Sequence, residues 1–394
     1  MSVDAVTAVI LAAGEGRRLA PLTNRRPKPM VPVANRPLLE HIVETVAAAG
    51  IDRVILVVGY KQERIRNHFR DGDDWGVTIE YVEQPTQLGT GHAVLQAEPV
   101  VDGSFVVLNG DRIVDAEAVA GVRDHIREDD SPVVTVTAVE SPRDYGVVQL
   151  DGDRVTDITE KPEGPVDTNR INAGVYGFSS AIFDAIRATQ TTEELAITAT
   201  LNNIATSRTV TALRYDGRWL DVSNLWDVLT VNAALIQDRN HAQDAPSTSQ
   251  RVDDTVTLAE DVVLAGNVRI GPNATLSGAT AVGSNVTVAA NAVVENSVVF
   301  PDAVIGPGAV VRDAVVAGNA QIGPNATITG GASTVVVGDA VHRNVTFGGV
   351  VGDNTSIGGG ATLTDGAVVG DDVRADAGVV IDGYIESGAV VRRG

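Results

Sequence analysis

The chain has 394 residues, with 51 Asp and Glu against 30 Lys and Arg and a formal net charge of -21. That length exceeds what one hydrophobic core usually holds, so two domains are expected. So acidic a surface repels phosphodiester backbones and anionic bilayers, and neither nucleic acid nor a membrane is expected as a partner.

The basic residues are unevenly chosen. Lys28, Lys61 and Lys161 are the only lysines, and arginine supplies the rest. The pattern predicts a halophilic protein, whose acidic surface stays soluble because salt screens its self-repulsion. Absence of cysteine excludes disulfides and thiolate metal sites. No charged n-region precedes an apolar run near the N-terminus, and no stretch reaches transmembrane length, so a soluble cytoplasmic protein is expected.

In chain order, "AVTAVILAAG" reads as a buried strand entering a glycine turn. The stretch "LAAGEGRRLAPLTNRRPKPM", residues 11–30, then carries no acid after Glu15. Backbone N–H groups of such a turn can surround phosphate oxygens, with Gly14 and Gly16 allowing close approach and Arg17, Arg18 and Lys28 adding charge. No GK[ST] closes a Walker loop, and the third glycine of a dinucleotide fingerprint is missing. On spacing alone a structural turn and a nucleotide site both stand.

"RPLLEHIVETVAAAG" sets Leu38, Leu39, Ile42, Val43 and Val46 on one helical face and stops at Gly50. "RVILVVGY" and "SFVVLNGD" are continuous apolar strands of the kind covered on both faces. Residues 1–238 therefore predict an open, mostly parallel α/β sheet whose ligands gather at the strands' carboxyl ends. There "LNGD" places Asp111, and "WLDVSNLWDVL" places Asp221 before a helix, where an N-cap is the plainer role.

Residues 239–250 lose apolar periodicity and read as a linker. From 251 to 394 the pattern changes: Val252, Leu258, Leu264, Ile270, Leu276, Val282, Val288 and Val294 stand six apart, and the beat resumes as Val345, Val351, Ile357, Leu363 and Val369. Asn267, Asn273, Asn285, Asn291, Asn325 and Asn354 follow three places later, at corners that favour left-handed backbone angles. Stacked hexads of this kind form a β-helix of roughly eight coils. A loop is expected between Thr329 and Asn344, where the beat falters. The N-x-Ser/Thr sequons among these asparagines read as corners of the repeat rather than glycan acceptors.

"LAAGEGRRLAPLTNRRPKPMVPV" closely resembles the signature of sugar-1-phosphate nucleotidylyltransferases, departing where Arg17 replaces a usual threonine. The resemblance implies that Leu11, Ala12, Ala13 and Gly14 hold the nucleotide, that Arg18 faces the pyrophosphate leaving group, and that Lys28 reaches the reacting phosphates. "EQPTQLGTGHAVLQA" extends it, implying that Gln84 reads a pyrimidine edge with Gly89 and Thr90 close by. Asp111 and Asp221 match the family's Mg²⁺ ligands. "DYGVVQLDGDRVTDITEKPEG" and "INAGVY" match its sugar-phosphate contacts, which implies Gly146, Glu160, Lys161 and Asn172.

The fold implied is a Rossmann-like nucleotidyltransferase domain followed by a left-handed parallel β-helix of the hexapeptide-repeat class. The activity implied is Mg²⁺-dependent formation of an NDP-sugar, with UTP favoured over dTTP, from a sugar 1-phosphate such as glucose or N-acetylglucosamine 1-phosphate. A homotrimer through the β-helix is implied too. The tandem order resembles bifunctional N-acetylglucosamine-1-phosphate uridylyltransferases that also acetylate glucosamine 1-phosphate with acetyl-CoA, and His342 is the candidate base. The family's Asn-Tyr-Asp-Gly loop and its lysines are missing from this half, so a structural β-helix is the expectation. The same resemblance leaves room for a thymidylyltransferase and for a non-catalytic regulatory relative.

Overall fold

The computed structural model describes residues 6–190, 194–239, 250–337 and 340–393, so all but the ends of the expected linker lies outside them. By compactness the chain forms two units. One holds residues up to Glu15, Pro27–Met30 and Leu38–Asp221, and the other holds Gly16–Arg26, Val31–Pro37 and Val222–Gly394.

In the first unit, strands β1 (Thr7–Ala12), β2 (Arg53–Val58), β3 (Thr78–Glu83) and β4 (Phe105–Asn109) are parallel, with β1 between β2 and β4. Along each, alternate residues enter opposite cores. Val9, Ile55, Val57, Phe105 and Val107 pack with Phe178, Phe183 and Leu201, while Ala8, Ile10, Val54, Leu56 and Val106 are equally buried. Burial on both faces is why these strands read as unbroken apolar runs.

Beyond them come β5 (Arg112–Val114), β6 (Val133–Ala138), β7 (Gly146–Asp151), β8 (Arg154–Glu160), β9 (Arg170–Phe178), β10 (Thr211–Arg214) and β11 (Trp219–Asp221). The nine-stranded sheet runs β3-β2-β1-β4-β9-β6-β10-β8-β7, and β5 pairs separately with β11. It is mixed rather than mostly parallel. β9 runs antiparallel to both β4 and β6, and β7 and β8 form a hairpin. The reversal at β9 brings its first half, with Asn172, to the carboxyl end of β4, where Asp111 follows.

Helices α1 (Leu38–Ala48), α2 (Gln62–Phe69), α3 (Thr90–Gln96), α4 (Ala116–Glu128), α5 (Ala181–Ala188) and α6 (Ile197–Ala205) complete this unit. None of the described helices is long and apolar enough to cross a membrane.

The second unit is the expected β-helix: three parallel sheets of eight, seven and seven short strands. Its core is the hexad column, including Ile270, Leu276, Val282, Val288, Val294, Ile357, Leu363 and Val369. All six expected corner asparagines have φ between 54° and 63°. The beat shortens by one residue before Val299, which still points inward. The interruption is an antiparallel hairpin, Ala332–Val337 with Ala340–Thr346. Val345 therefore belongs to this hairpin and not to the coil, which restarts at Gly349–Val351.

The spatial division departs from a linear boundary at 238. Helix α7 (Asp227–Arg239) packs on the β-helix strands Val298–Val299 and Ala314–Val316. The reason is composition: on that sheet the outward residues Ala281, Val298, Val315 and Val350 are apolar and buried. Asn232 on α7 donates to the carbonyl of Ala279 and accepts from the N–H of Ala34, 2.9 Å away.

Candidate active site

At the carboxyl edge of the first unit's sheet lies a cleft of about 250 Å³, lined by Leu11, Ala13, Gly14, Lys28, Pro29, Gln84, Gln87, Gly89, Thr90, Ala93, Asn109, Gly110, Asp111 and Glu194. Most of the nucleotide residues expected from sequence meet here. Ala12 is buried and does not line it. Arg18 lies in the turn Arg17–Leu19 of the second unit.

The glycine turn entering α3 is shaped by contact. Gly89 has φ 103°, and a Cβ there would meet the carbonyl oxygen of Leu195 at 2.5 Å. Thr90 Oγ1 accepts the N–H of Ile197 at 3.0 Å, capping α6. Gln84 is buried just past β3, and its Nε2 donates to Gly89 O at 3.3 Å and pairs with His92 Nδ1 at 2.9 Å. With those hydrogens used, the amide oxygen is the group left to accept from a ligand. Gln87 Nε2 donates to Ala13 O at 2.8 Å and braces the end of β1.

Lys28 Nζ donates to Asp111 Oδ2 at 2.6 Å. Burial alone would raise the Asp111 carboxyl, but the Lys28 ammonium and the Arg112 guanidinium outweigh it and hold it below the usual carboxylate range. Asp221 lies opposite Arg112 in the β5–β11 ladder, and its side chain is only 4% exposed.

Arg112 joins the carboxylates to the expected sugar-phosphate residues, and sequence reasoning missed it. Its Nη1 donates to Asn172 O at 2.8 Å, its Nε stands 3.8 Å from Asp221 Oδ1, and its guanidinium lies 5.5 Å from the Trp219 ring centre and 5.9 Å from that of Tyr145. Adjacency to Asp111 in "LNGDR" was the signal that could have found it. Across the β7–β8 hairpin Gly146 faces Glu160, and a Cβ on Gly146 would sit 2.9 Å from Glu160 Oε1. Its lack of a side chain thus makes room first for that carboxylate. Lys161 N–H donates to Tyr145 O at 3.1 Å. The Asn172 amide donates to Tyr176 Oη at 2.7 Å and accepts from Gly174 N–H at 3.0 Å. Burial pushes the Tyr176 hydroxyl up to about 12, so it remains a neutral donor and acceptor.

Among the described residues no three His, Cys, Asp or Glu side chains gather as a metal cage. Of the two expected ligands Asp111 lines the cleft, whereas Asp221 stands beside Arg112 and is not among the lining residues; each is a hard oxygen donor of the kind Mg²⁺ takes, one or two at a time, with phosphate oxygens and water.

In the second unit the His342 ring lies against Trp226, with ring centres 4.8 Å apart and planes tilted by 54°, and its strand pairs it with Val335. It packs as part of the hairpin.

Residues 7–238 match the nucleotidyl transferase family, and the chain belongs to it. Residues 258–348 match a family described as the GMPPB C-terminal domain. A curated relative, the bifunctional protein GlmU of Methanocaldococcus jannaschii, is 35% identical over 260 residues, 65% of this chain and 60% of that protein. The chain thus spans about 60% of the length of the GlmU relatives it matches. The low-salt glycan biosynthesis nucleotidyltransferase Agl11 of Haloferax volcanii is 35% identical over 259 residues, 64% of this chain and 72% of that one. Among solved structures, a putative glucose-1-phosphate thymidylyltransferase from Bacillus anthracis, in complex with a sucrose, superposes with a TM-score of 0.55 at 25% identity, covering 58% of this chain and 94% of that one.

Proposed function

We propose that the protein transfers a uridylyl group from UTP to a sugar 1-phosphate, releasing pyrophosphate and a UDP-sugar. The observation that carries this reading is one cleft lined both by Gln84 and Gly89, suited to a pyrimidine, and by the Lys28–Asp111 pair, suited to phosphates. The Gln84 amide oxygen accepts the imide N–H that uracil and thymine share. Glu160, Asn172 and Gly146 hold the sugar, and Lys161 its phosphate.

The sugar phosphate oxygen attacks the α-phosphorus; that P–O bond forms as the bond to the β-phosphate oxygen breaks, and pyrophosphate leaves with the electron pair. The attacking oxygen is already anionic, so no general base is needed. The obstacle is repulsion between polyanions, which Lys28 and Lys161 reduce at the reacting phosphates. Arg18 is assigned to the leaving group on the motif alone. Mg²⁺ held by Asp111 and Asp221 would supply further charge neutralisation.

The β-helix is read as structural, without acetyl-CoA chemistry, because this half has no lysine and lacks the family's Asn-Tyr-Asp-Gly loop. It also supports a homotrimer. On its second sheet the first outward position of every strand is uncharged, as Thr257, Thr275, Val293, Val310, Thr327, Thr362 and Val380, in a chain of net charge -21. A halophilic cytoplasm is the proposed setting. Pyrophosphate release from UTP or dTTP, crossed with several sugar 1-phosphates, tests the activity, and sedimentation tests the trimer. Release with dTTP alone would favour the thymidylyl reading, and none with any pair the regulatory one.

A further inference from the structure

The signature loop carries more positive charge than the cleft uses. Asn24, Arg25 and Arg26 instead meet three carboxylates of the β-helix within the second unit. Asn24 Nδ2 donates to Asp371 Oδ2 at 3.0 Å, Arg25 pairs with Asp372, and Arg26 Nη2 donates to Asp353 Oδ1 at 2.6 Å. The last pair is buried, with side chains 12% and 6% exposed, and the guanidinium lies 4.9 Å from the ring centre of Phe300.

The carboxylates are not ordinary corner residues. Backbone bonds stack Gly266, Ser284, Pro301, Gly318, Asp353 and Asp371 at one corner of successive coils, through Asn285 N–H to Gly266 O and its equivalents. The first four are uncharged. Asp353 and Asp371 are both only 4% exposed, and Asp353 Oδ2 has no hydrogen-bond partner among the described residues. Burying like charges on adjacent coils is costly, and the coil closes without them at the four earlier positions. Both also brace the coil, Asp353 Oδ1 accepting Gly318 N–H at 3.0 Å and Asp371 Oδ1 accepting Asp353 N–H at 2.7 Å, and in addition each holds a side chain of the loop.

We propose that Asp353, with Asp371, is a positioning residue for nucleotidyl transfer: it clamps Arg26, two residues before Lys28, and so fixes the backbone from which the Lys28 ammonium reaches the reacting phosphates. This rests on the proposed transferase activity. The restraint passes along the chain through Pro27, whose ring limits the backbone freedom between clamp and lysine. The Arg25–Asp372 pair is exposed on both sides and contributes little in comparison.

The test uses full-length Asp353→Asn, the milder Asp353→Glu, Arg26→Gln and Arg26→Lys, which alter no coil residue, and Asp372→Asn for comparison, with three readouts: hydrogen exchange of amides 22–30, kcat and KM for pyrophosphate release, and melting temperature. Expected are faster exchange in 22–30, kcat lower by about tenfold or more with a smaller change in KM, and partial recovery in Arg26→Lys relative to Arg26→Gln. Asp372→Asn should change kcat less than about twofold. Unchanged exchange in 22–30 overturns the clamp. Faster exchange with unchanged kcat overturns its role in transfer, as does a kcat loss matching only the loss of folded protein. An inactive wild-type protein would instead overturn the transferase reading, leaving the clamp to be decided by exchange alone.

Discussion

The ammonium of Lys28 lies 2.6 Å from Oδ2 of Asp111, so the cleft's cation and the carboxylate expected to face a metal neutralise each other. On the proposed reading, nucleotide phosphate oxygens would compete for the Lys28 ammonium, and Asp111 would then be available to hold Mg²⁺. Substitution of Lys28 by Ala should therefore lower kcat by about a hundredfold or more while KM moves little. Steady-state pyrophosphate release decides this, and a change in KM alone would remove Lys28 from the transition state.

Arg112 serves a different purpose, because Asp221 is nearly enclosed and the guanidinium stands beside it. Replacing Arg112 with Met takes that counter-charge away from a buried carboxylate and should cost about 3–5 kcal/mol. Denaturant unfolding in molar KCl measures it. Arg112→Lys should recover part of the loss, since it keeps the charge while giving up the Nη1 hydrogen bond to Asn172 O.

Gly89→Ala places a methyl carbon against the Leu195 carbonyl in a backbone conformation that only glycine adopts freely. Strain of about 1–3 kcal/mol should appear as a lower melting temperature, together with weaker nucleotide binding. An unchanged melting temperature would mean that the turn relaxes.

Asp371 gives a pH-dependent signature. Burial, with the nearby Asp353 charge, raises its carboxyl above the ordinary value despite hydrogen bonds from Asn24 and Asp353 N–H. A carboxyl raised in the folded state binds its proton more tightly there, so stability falls as pH rises from the ordinary value through the raised one. The melting temperature of Asp371→Asn relative to wild type should therefore rise between pH 4 and pH 7. A constant difference across that range would show that the charge is not strained.

Legibility followed the period and the motif. Unbroken apolar runs announced strands covered on both faces, and the six-residue beat announced the coil, because inward side chains must repeat at the coil's own spacing. The left-handed angles at Asn267 and Asn354 followed from the same logic. The direction of β9 was not readable, since an apolar run looks alike in either sense. Nor was the fate of Arg25 and Arg26: sequence shows positive charge beside a phosphate motif, while their partners lie more than 300 positions away. Val345 kept the hexad beat yet joined a hairpin, where alternation in two also puts it in register with Ser333. Arg112 was hidden by its neighbour, since a carboxylate at a strand's end explains itself without the cation that follows.

The most direct test of the central claim, that the Lys28–Asp111 pair brings two phosphorylated substrates to reaction in this cleft, is pyrophosphate release by purified full-length protein in molar KCl with Mg²⁺, UTP and a panel of sugar 1-phosphates. Expected is release that requires UTP and one class of sugar phosphate, and that falls about a hundredfold in Lys28→Ala. Release undiminished in that variant, or none from wild type with any UTP or dTTP pairing, would contradict it.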